Sequence, residues 1–265
     1  MFTRIDHVVI LVPELDHAIE TYRGLGFQVV PGGVHPGGTH NALIAFRDGS
    51  YLELIAFQQP EQPSEHRWHR FLAGGGGLVD FALGVDDLAA ELERIRARGL
   101  DYRGPVPGAR RRPDGVEVVW RLGQPLDERT GELPFLIDDV TPRPVRVPGG
   151  PQAEQPNGVV GVRGVVVARR DPGVGAGEWG RLLGETPPAA ATDESLVAST
   201  VTFDVGSQQV VIASPLDPGS PLAGRIQRRG DGPFELVLLA DGREAPLRYR
   251  PEDAEGARIR IEPVR

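Results

Sequence analysis

The chain contains no cysteine. Disulfides, a thiolate nucleophile and Cys-ligated zinc are therefore excluded. It contains no lysine either: all 29 Lys/Arg positions are arginine, and asparagine occurs only at Asn41 and Asn157. Few thermolabile residues and many loop prolines fit a thermophile, and a GC-rich genome that replaces Lys by Arg fits equally well. No apolar run approaches the length of about 18 residues that a membrane-spanning helix needs, and no basic, apolar leader opens the chain. A cytoplasmic location is the default expectation. Acidic residues outnumber basic ones, 37 to 29, for a net charge of −8. Such a chain gains nothing from approaching phosphate backbones or anionic lipid, so neither nucleic acid nor a membrane is expected as a partner. There is no Walker pattern and no G-x-S-x-G, which leaves an NTPase or serine hydrolase without support. The GGGG at 74–77 precedes a strand rather than a helix and reads as a flexible joint.

What is present is a globular composition, 40% hydrophobic and 25% charged, over 265 residues. That length suits one large domain or two small ones. The 35 glycines and 25 prolines predict many tight turns between short elements. Residues 4–12 (RIDHVVILV) are β-branched and too short for a lone helix, so they read as a buried strand. Pro13 opens a helix with Leu15, Ile19 and Tyr22 at helical spacing, ended by Gly24 and Gly26. Strands follow at 27–30, 40–46 and 51–57, with Asp48-Gly49 as a hairpin signal. The order is βαβββ.

The same order recurs. A strand at 78–85 precedes a helix capped by Asp86 or Asp87, with Leu88, Leu92 and Ile95 on one face and Gly99 after it. Strands near 101–103, 116–122 and 133–138 complete the unit. Residues 141–157, rich in Pro and Gly and without periodicity, read as a linker or an extended strap. A third unit opens at VVGVRGVVVARRDP, with a short helix at EWGRLLG and strands at 198–204 and 208–213. GSQQVVIASP aligns with GSYLELIAFQ of the first unit. In an eroded fourth unit FELVLLADG aligns with VDFALGVDD, and 257–262 supplies a last strand. The fold class expected is α+β: tandem βαβββ units forming cupped, mostly antiparallel sheets, the N-terminal pair (1–140) complete and the C-terminal pair (158–265) degenerate.

Strand alternation places His7, Val9 and Leu11 on one face, and Tyr51, Glu53 and Ile55 on one face of another strand. Both strands look buried on both sides. An imidazole and a carboxylate there must find partners, each other or a shared metal. Asp80 occupies in the second unit the slot that His7 has in the first, and it too interrupts an apolar run.

The segments IDHVVILVPELDHAIETY…LGF, GTHNALIAF and YLELIAF resemble the first unit of a vicinal-oxygen-chelate domain. RRRPDGVEVVWRL…LPFLIDD resembles the second unit of the glyoxalase-like branch of that superfamily. The resemblance covers roughly residues 3–140. It implies a cupped sheet around a cavity, with divalent-metal ligands from the first and last strands of each unit. Carried over position by position, the ligands are His7, Glu53 and Asp80, with Glu53 also the catalytic candidate. The fourth slot falls at Phe135 or Leu136, which cannot bind metal. His/Asp/Glu suits Fe(II), Mn(II) or Zn(II) with open positions, and a metal-free polar cluster lining a ligand cavity, or a structural network, stands beside that reading.

In the third and fourth units the slots hold Gly164, Val210 and Glu235, so no such site is expected there and the C-terminal half reads as structural or covering. All six histidines lie within residues 1–69. His40 and Asn41, after the loop GGVHPGGTHN, are candidates for touching a ligand, as is Phe135. Trp120 is either core or an aromatic wall of the cavity. One of Arg110, Arg111 and Arg112 at a cavity mouth would suit a carboxylate substrate. His66 and His69, in a short amphipathic helix, and His17 are expected at the surface. The functions left open are a metal-dependent lyase, isomerase or dioxygenase, and a metal-free protein that binds or sequesters a small molecule. A homodimer is compatible with the superfamily, in which many members build the site across two chains, though the two units of 1–140 can pair within one.

Overall fold

A computed structural model describes residues 1–126, 129–242 and 244–264. The fold is α+β, with two curled mixed sheets. The first is a closed barrel of eight strands: β1 (Phe2–Leu11), β2 (Val30–Val34), β3 (Thr39–Ala45), β4 (Tyr51–Phe57), β5 (Gly77–Val85), β6 (Tyr102–Arg111), β7 (Glu117–Pro125) and β8 (Phe135–Asp139), in the order β1-β4-β3-β2-β6-β7-β8-β5. Helices α1 (Leu15–Gly24) and α2 (Leu88–Ala97) pack outside it. Both repeated units carry the same pairing: β1 is parallel to β4, β5 is parallel to β8, and the two opening strands run antiparallel to each other.

The second sheet repeats this plan with β9 (Val159–Ala168), α4 (Pro172–Leu183), β10 (Ala191–Asp193), β11 (Ala198–Val205), β12 (Gln208–Pro215), α5 (Pro221–Arg229), β13 (Gly232–Ala240), β14 (Leu247–Tyr249) and β15 (Ile259–Pro263). β9 is parallel to β12, β13 is parallel to β15, and β9 is antiparallel to β13. The order β10-β11-β12-β9-β13-β15-β14 stays open, because its outer strands are only three residues each and do not meet. In the barrel, β2 and β6 do meet, at Val34 and Arg111. That single pairing closes the ring.

The two halves share one core. The outer faces of β1 and β5 (Ile5, Val8, Ile10, Phe81, Leu83) pack with Trp179, Phe203, Val165 and Leu236 of the second half. Trp179 is fully buried and stacks on Phe81 with ring centroids 6.0 Å apart. A buried Trp of this kind removes about 150–250 Å² from water, which makes it a main anchor of the interface. The inner faces of the barrel (Val9, Leu11, Ile55, Ala82, Phe135, Ile137) form a separate cluster around the cavity.

Three differences from the sequence expectation bear on the site. The strand expected at 101–103 runs from Tyr102 to Arg111, so Arg110 and Arg111 lie in β6 and not in a loop. Pro105 and Pro107 disguise it; both sit where β6 is irregular or pairs on one side, as proline requires. The helix expected around SEHRWHRFL is a 3-10 turn over His69–Gly74. The segment 141–157 holds a short helix α3 (Arg143–Arg146) and a 3-10 turn (Gly150–Ala153), and it packs Val147 and Ala153 against Leu43, Ala45 and Tyr51 of the barrel. It is a strap across the barrel wall. Among the described residues no helix is long and apolar enough to cross a membrane.

Candidate active site

The barrel encloses a cavity of about 270 Å³. Its apolar lining includes Ile55, Trp68, Trp120, Leu122, Phe135 and Ile137, and its polar lining includes His7, His35, Tyr51, Glu53, Arg67 and Arg110. The volume lies just below the range of about 300–1,000 Å³ usual for small-molecule pockets.

Local strand geometry explains the polar centre. β1 carries an irregularity between Ile5 and His7, so Asp6 has no cross-strand partner and leaves the alternation. Bulges of this kind re-aim side chains beside active sites. His7 is thereby turned inward, stacked on Tyr51 at 4.5 Å and edge-on to Phe135 at 5.3 Å. Its Nδ1 lies 2.8 Å from Asp6 Oδ1. Asp6 also accepts from Arg146 at 2.9 and 3.0 Å and from Arg143, both on the strap. Burial alone would raise the Asp6 carboxyl, but Arg146, the His7 hydrogen bond and Arg143 outweigh it and hold the group well below the usual carboxylate range. An ionised Asp6 only accepts, so His7 Nδ1 carries the proton and Nε2 presents a lone pair in the neutral ring.

That Nε2 faces Glu53 Oε2 at 3.6 Å. The separation is too long for a hydrogen bond; with His7 in its neutral form, two acceptors would face each other across it. The other Glu53 oxygen accepts from Asn41 Nδ2 at 2.6 Å and stands 3.8 Å from His35 Nε2. Burial lowers the His35 pKa, with Arg110 adding to it against the pull of Glu53. Arg110 is 4% exposed and donates Nη2 to the Arg146 carbonyl, while its Nε has no partner and it makes no ion pair among the described residues. Burial lowers its pKa as well.

The three-ligand set that the resemblance implies is not brought together among the described residues. Asp80 is fully buried, but Trp68 Nε1 donates to it at 2.9 Å, the Phe81 amide at 2.9 Å, and Arg67 Nη2 pairs with it at 2.7 Å. It does not line the cavity. Among the described residues no group of three His, Asp or Glu side chains is arranged to hold a metal ion. His7 and Glu53 offer two donors. The guanidinium of Arg67 already occupies Asp80, the slot of the third donor, and Phe135 fills that of the fourth. The donor set therefore does not fit a resident divalent metal.

Of the ligand-contact candidates, Trp120 and Phe135 line the cavity. Asn41 lies behind Glu53 as its hydrogen-bond donor. His40 pairs with Ala56, on the face of β3 opposite Thr39 and Asn41, and does not line the cavity; His35, at the other end of the loop, does. His66 also lines it, contrary to its expected surface place, because the turn before His69 folds over the barrel mouth. Sequence reasoning missed Asp6, Arg67, Trp68, Arg143 and Arg146. Asp6 was the one with a visible signal, a carboxylate inside an apolar strand next to His7.

A family-wide profile described as a glyoxalase-like domain matches residues 5–183. The match runs beyond the barrel and strap through α4. Among solved structures, a hypothetical protein from Staphylococcus aureus aligns with TM-score 0.73 and 15% identity over 98% of both chains. A mutant of 4-hydroxymandelate synthase from Streptomyces coelicolor aligns with TM-score 0.66 and 12% identity, over 98% of this chain and 92% of that one. At such identities these likenesses speak to the fold. No curated protein sequence matches.

Proposed function

The chain belongs to the glyoxalase-like domain family of the vicinal-oxygen-chelate superfamily, and from that premise we propose that its N-terminal barrel binds a small organic anion and moves a proton on it through the Glu53–His7 pair. The observation that carries this reading is the 3.6 Å gap between His7 Nε2 and Glu53 Oε2, beside an Arg110 that makes no ion pair with a carboxylate among the described residues. Two acceptors facing each other attract a donor, so a ligand O–H, N–H or acidic C–H directed there can give its proton to Glu53 or to His7. Arg110 balances the ligand's negative charge, and burial strengthens that attraction. Trp120, Phe135 and Ile55 take an apolar body. Asp6 and Arg146 fix the His7 ring, and Asn41 fixes the Glu53 carboxylate. We assign this chemistry to residues 1–140, and a supporting and covering role to 158–265, where Glu235 is consumed by Arg260 at 2.9 Å and a side chain at Gly164 would collide with the Gln209 carbonyl.

The test is a titration in metal-free buffer with benzoate, benzyl alcohol and benzylamine, which share a ring and differ in charge. Benzoate is expected to bind, benzylamine is not, and Arg110→Met should weaken benzoate at least tenfold, the loss of one charge-assisted hydrogen bond of about 1.5–3 kcal/mol. Equal binding of all three probes, or an unchanged benzoate affinity in Arg110→Met, would remove the anion reading. Uptake of about one equivalent of Mn(II), Fe(II) or Zn(II), lost in His7→Ala, would replace the metal-free reading by a two-ligand metal site.

A further inference from the structure

A second set of cations lies outside the barrel cavity, in a groove between the two halves. Two contiguous clefts of about 550 and 220 Å³ share Gly74, Arg228 and Arg229. One wall is the turn His69–Gly74 of the barrel half; the other is the last turns of α5 and the start of β13. Arg70, Arg225, Arg228, Arg229 and Arg258 all line it.

Among the described residues these arginines make no salt bridge, and Asp231 is the carboxylate whose charge acts on Arg225. Arg225 donates to the carbonyls of Pro233 and Gly230, and among the described residues none of Arg225, Arg228 and Arg229 makes an ion pair with a carboxylate. The two acids at the groove are already taken. Glu132 pairs with Arg129 at 2.7 Å and lies 3.5 Å from Arg169. Asp231 pairs with Arg169 at 3.2 Å and Arg170 at 3.8 Å. Arg229 Nε and Nη2 are buried without any hydrogen-bond partner. Its guanidinium rests over Phe71 at 5.4 Å, and Arg70 lies over the same ring at 4.8 Å. One aromatic ring thus carries two cations, which holds them in place but neutralises neither. Burial, then the neighbouring Arg229, pushes Arg225 down to about 10, and burial and Arg228 lower Arg229. A fold that gathers like charges and leaves buried donors unpaired carries an electrostatic penalty that a bound anion would relieve.

We propose that this groove binds a multiply charged phosphoryl anion, either inorganic pyrophosphate or the phosphate end of a small metabolite. Arg228 and Arg229 grip its oxygens, Arg225 supplies charge from behind, and Arg70 stands at the mouth. A single carboxylate would pair with only one of the three guanidiniums that make no salt bridge among the described residues. A di- or trianion with tetrahedral oxygens matches several forks at once. None of these arginines lines the barrel cavity, so the groove is independent of the site proposed there.

The experiment is calorimetric titration of the full chain with pyrophosphate, with glycerol 3-phosphate and with sodium chloride at matched ionic strength. Pyrophosphate is expected to bind beyond the chloride control. Its affinity should fall at least tenfold in Arg228→Gln and in Arg229→Gln, and stay unchanged in Arg110→Met. Arg228 is exposed, so Arg228→Gln keeps the test decisive if Arg229→Gln does not fold. Glycerol 3-phosphate binding as tightly as pyrophosphate identifies a phosphate ester as the occupant, and pyrophosphate alone identifies the inorganic anion. No binding above chloride overturns the proposal. So does pyrophosphate binding that survives Arg228→Gln and is lost in Arg110→Met.

Discussion

Replacing Asp6 by Asn is the most informative single perturbation. Asp6 is 1% exposed and is the common partner of His7, Arg146 and Arg143. The amide keeps the shape and removes the charge, which leaves Arg146, itself 1% exposed, short of one carboxylate. Breaking a buried pair this way costs about 3–5 kcal/mol. The lower end applies, because Asp139 still accepts from Arg146 at 2.5 and 3.1 Å and Arg143 is about a quarter exposed and rehydrates. The expected loss is therefore about 3 kcal/mol, which at roughly 2–4 °C per kcal/mol for a chain of this size is a fall in Tm of about 6–12 °C. Urea unfolding at pH 7 measures it, with the denaturant slope unchanged. The pH dependence gives a second check. The folded pKa of Asp6 is depressed, so its stabilisation is present in full above the unfolded value of about 3.9 and is lost as pH falls through the folded value. The wild-type and Asp6→Asn stabilities should begin to converge below about pH 4 and meet only below the folded value. A loss under about 1 kcal/mol at neutral pH, within the range of ordinary surface changes, would refute the placement of Asp6 as the buried hinge between His7 and the strap.

Three further outcomes follow from the same structure. Trp179→Ala removes the ring stacked on Phe81 between the halves and should cost about 3–5 kcal/mol in urea unfolding, with one shared transition for both halves in the wild type. The folded pKa of His35 is lowered, chiefly by burial, so the fold holds it neutral: stability is full above the unfolded value of about 6.5 and falls by up to about 1.4 kcal/mol per pH unit below it, and His35→Gln should flatten that slope between pH 6.5 and the folded value. Gly76 and Gly75 both have positive φ, 73° and 79°, but only at Gly76 would a Cβ collide with the Leu11 carbonyl; Gly75→Ala should cost about 1 kcal/mol and Gly76→Ala at least about 2 kcal/mol more by thermal unfolding.

The elements that could be read from sequence are those whose signal is local. β1, β4, β5 and α2 each carry a complete periodic pattern with a cap or turn at the end, and they appear within a few residues of the expected bounds. β6 was half hidden because Gly and Pro dilute its pattern, yet it pairs with β7 along most of its length. β10, β14 and α5 went unanticipated; the two strands are three residues long and have no pattern to show. In the site, alternation put His7 on one face of its strand and Tyr51, Glu53 and Ile55 together on one face of another, and these four line the cavity. Of the two candidates at the end of the glycine loop, Asn41 reaches Glu53 and His40 falls on the opposite face of the strand.

The sequence by itself determined the repeated βαβββ plan, its membership of a superfamily, and the placing of the polar slots in the first half, because strand periodicity and turn chemistry are written in neighbouring residues. Only the tertiary structure decided which groups those slots meet. An irregularity in β1 hands Asp6 to arginines about 140 residues away in a strap that had no periodicity to announce it. Arg67, on a loop beside the barrel, takes Asp80 out of any shared ligand set with His7 and Glu53. Charge pairing in a low-dielectric interior is settled by which groups meet across the fold: Asp80 meets Arg67 and Trp68, while His7 and Glu53 face each other across 3.6 Å in the cavity that Arg110 also lines.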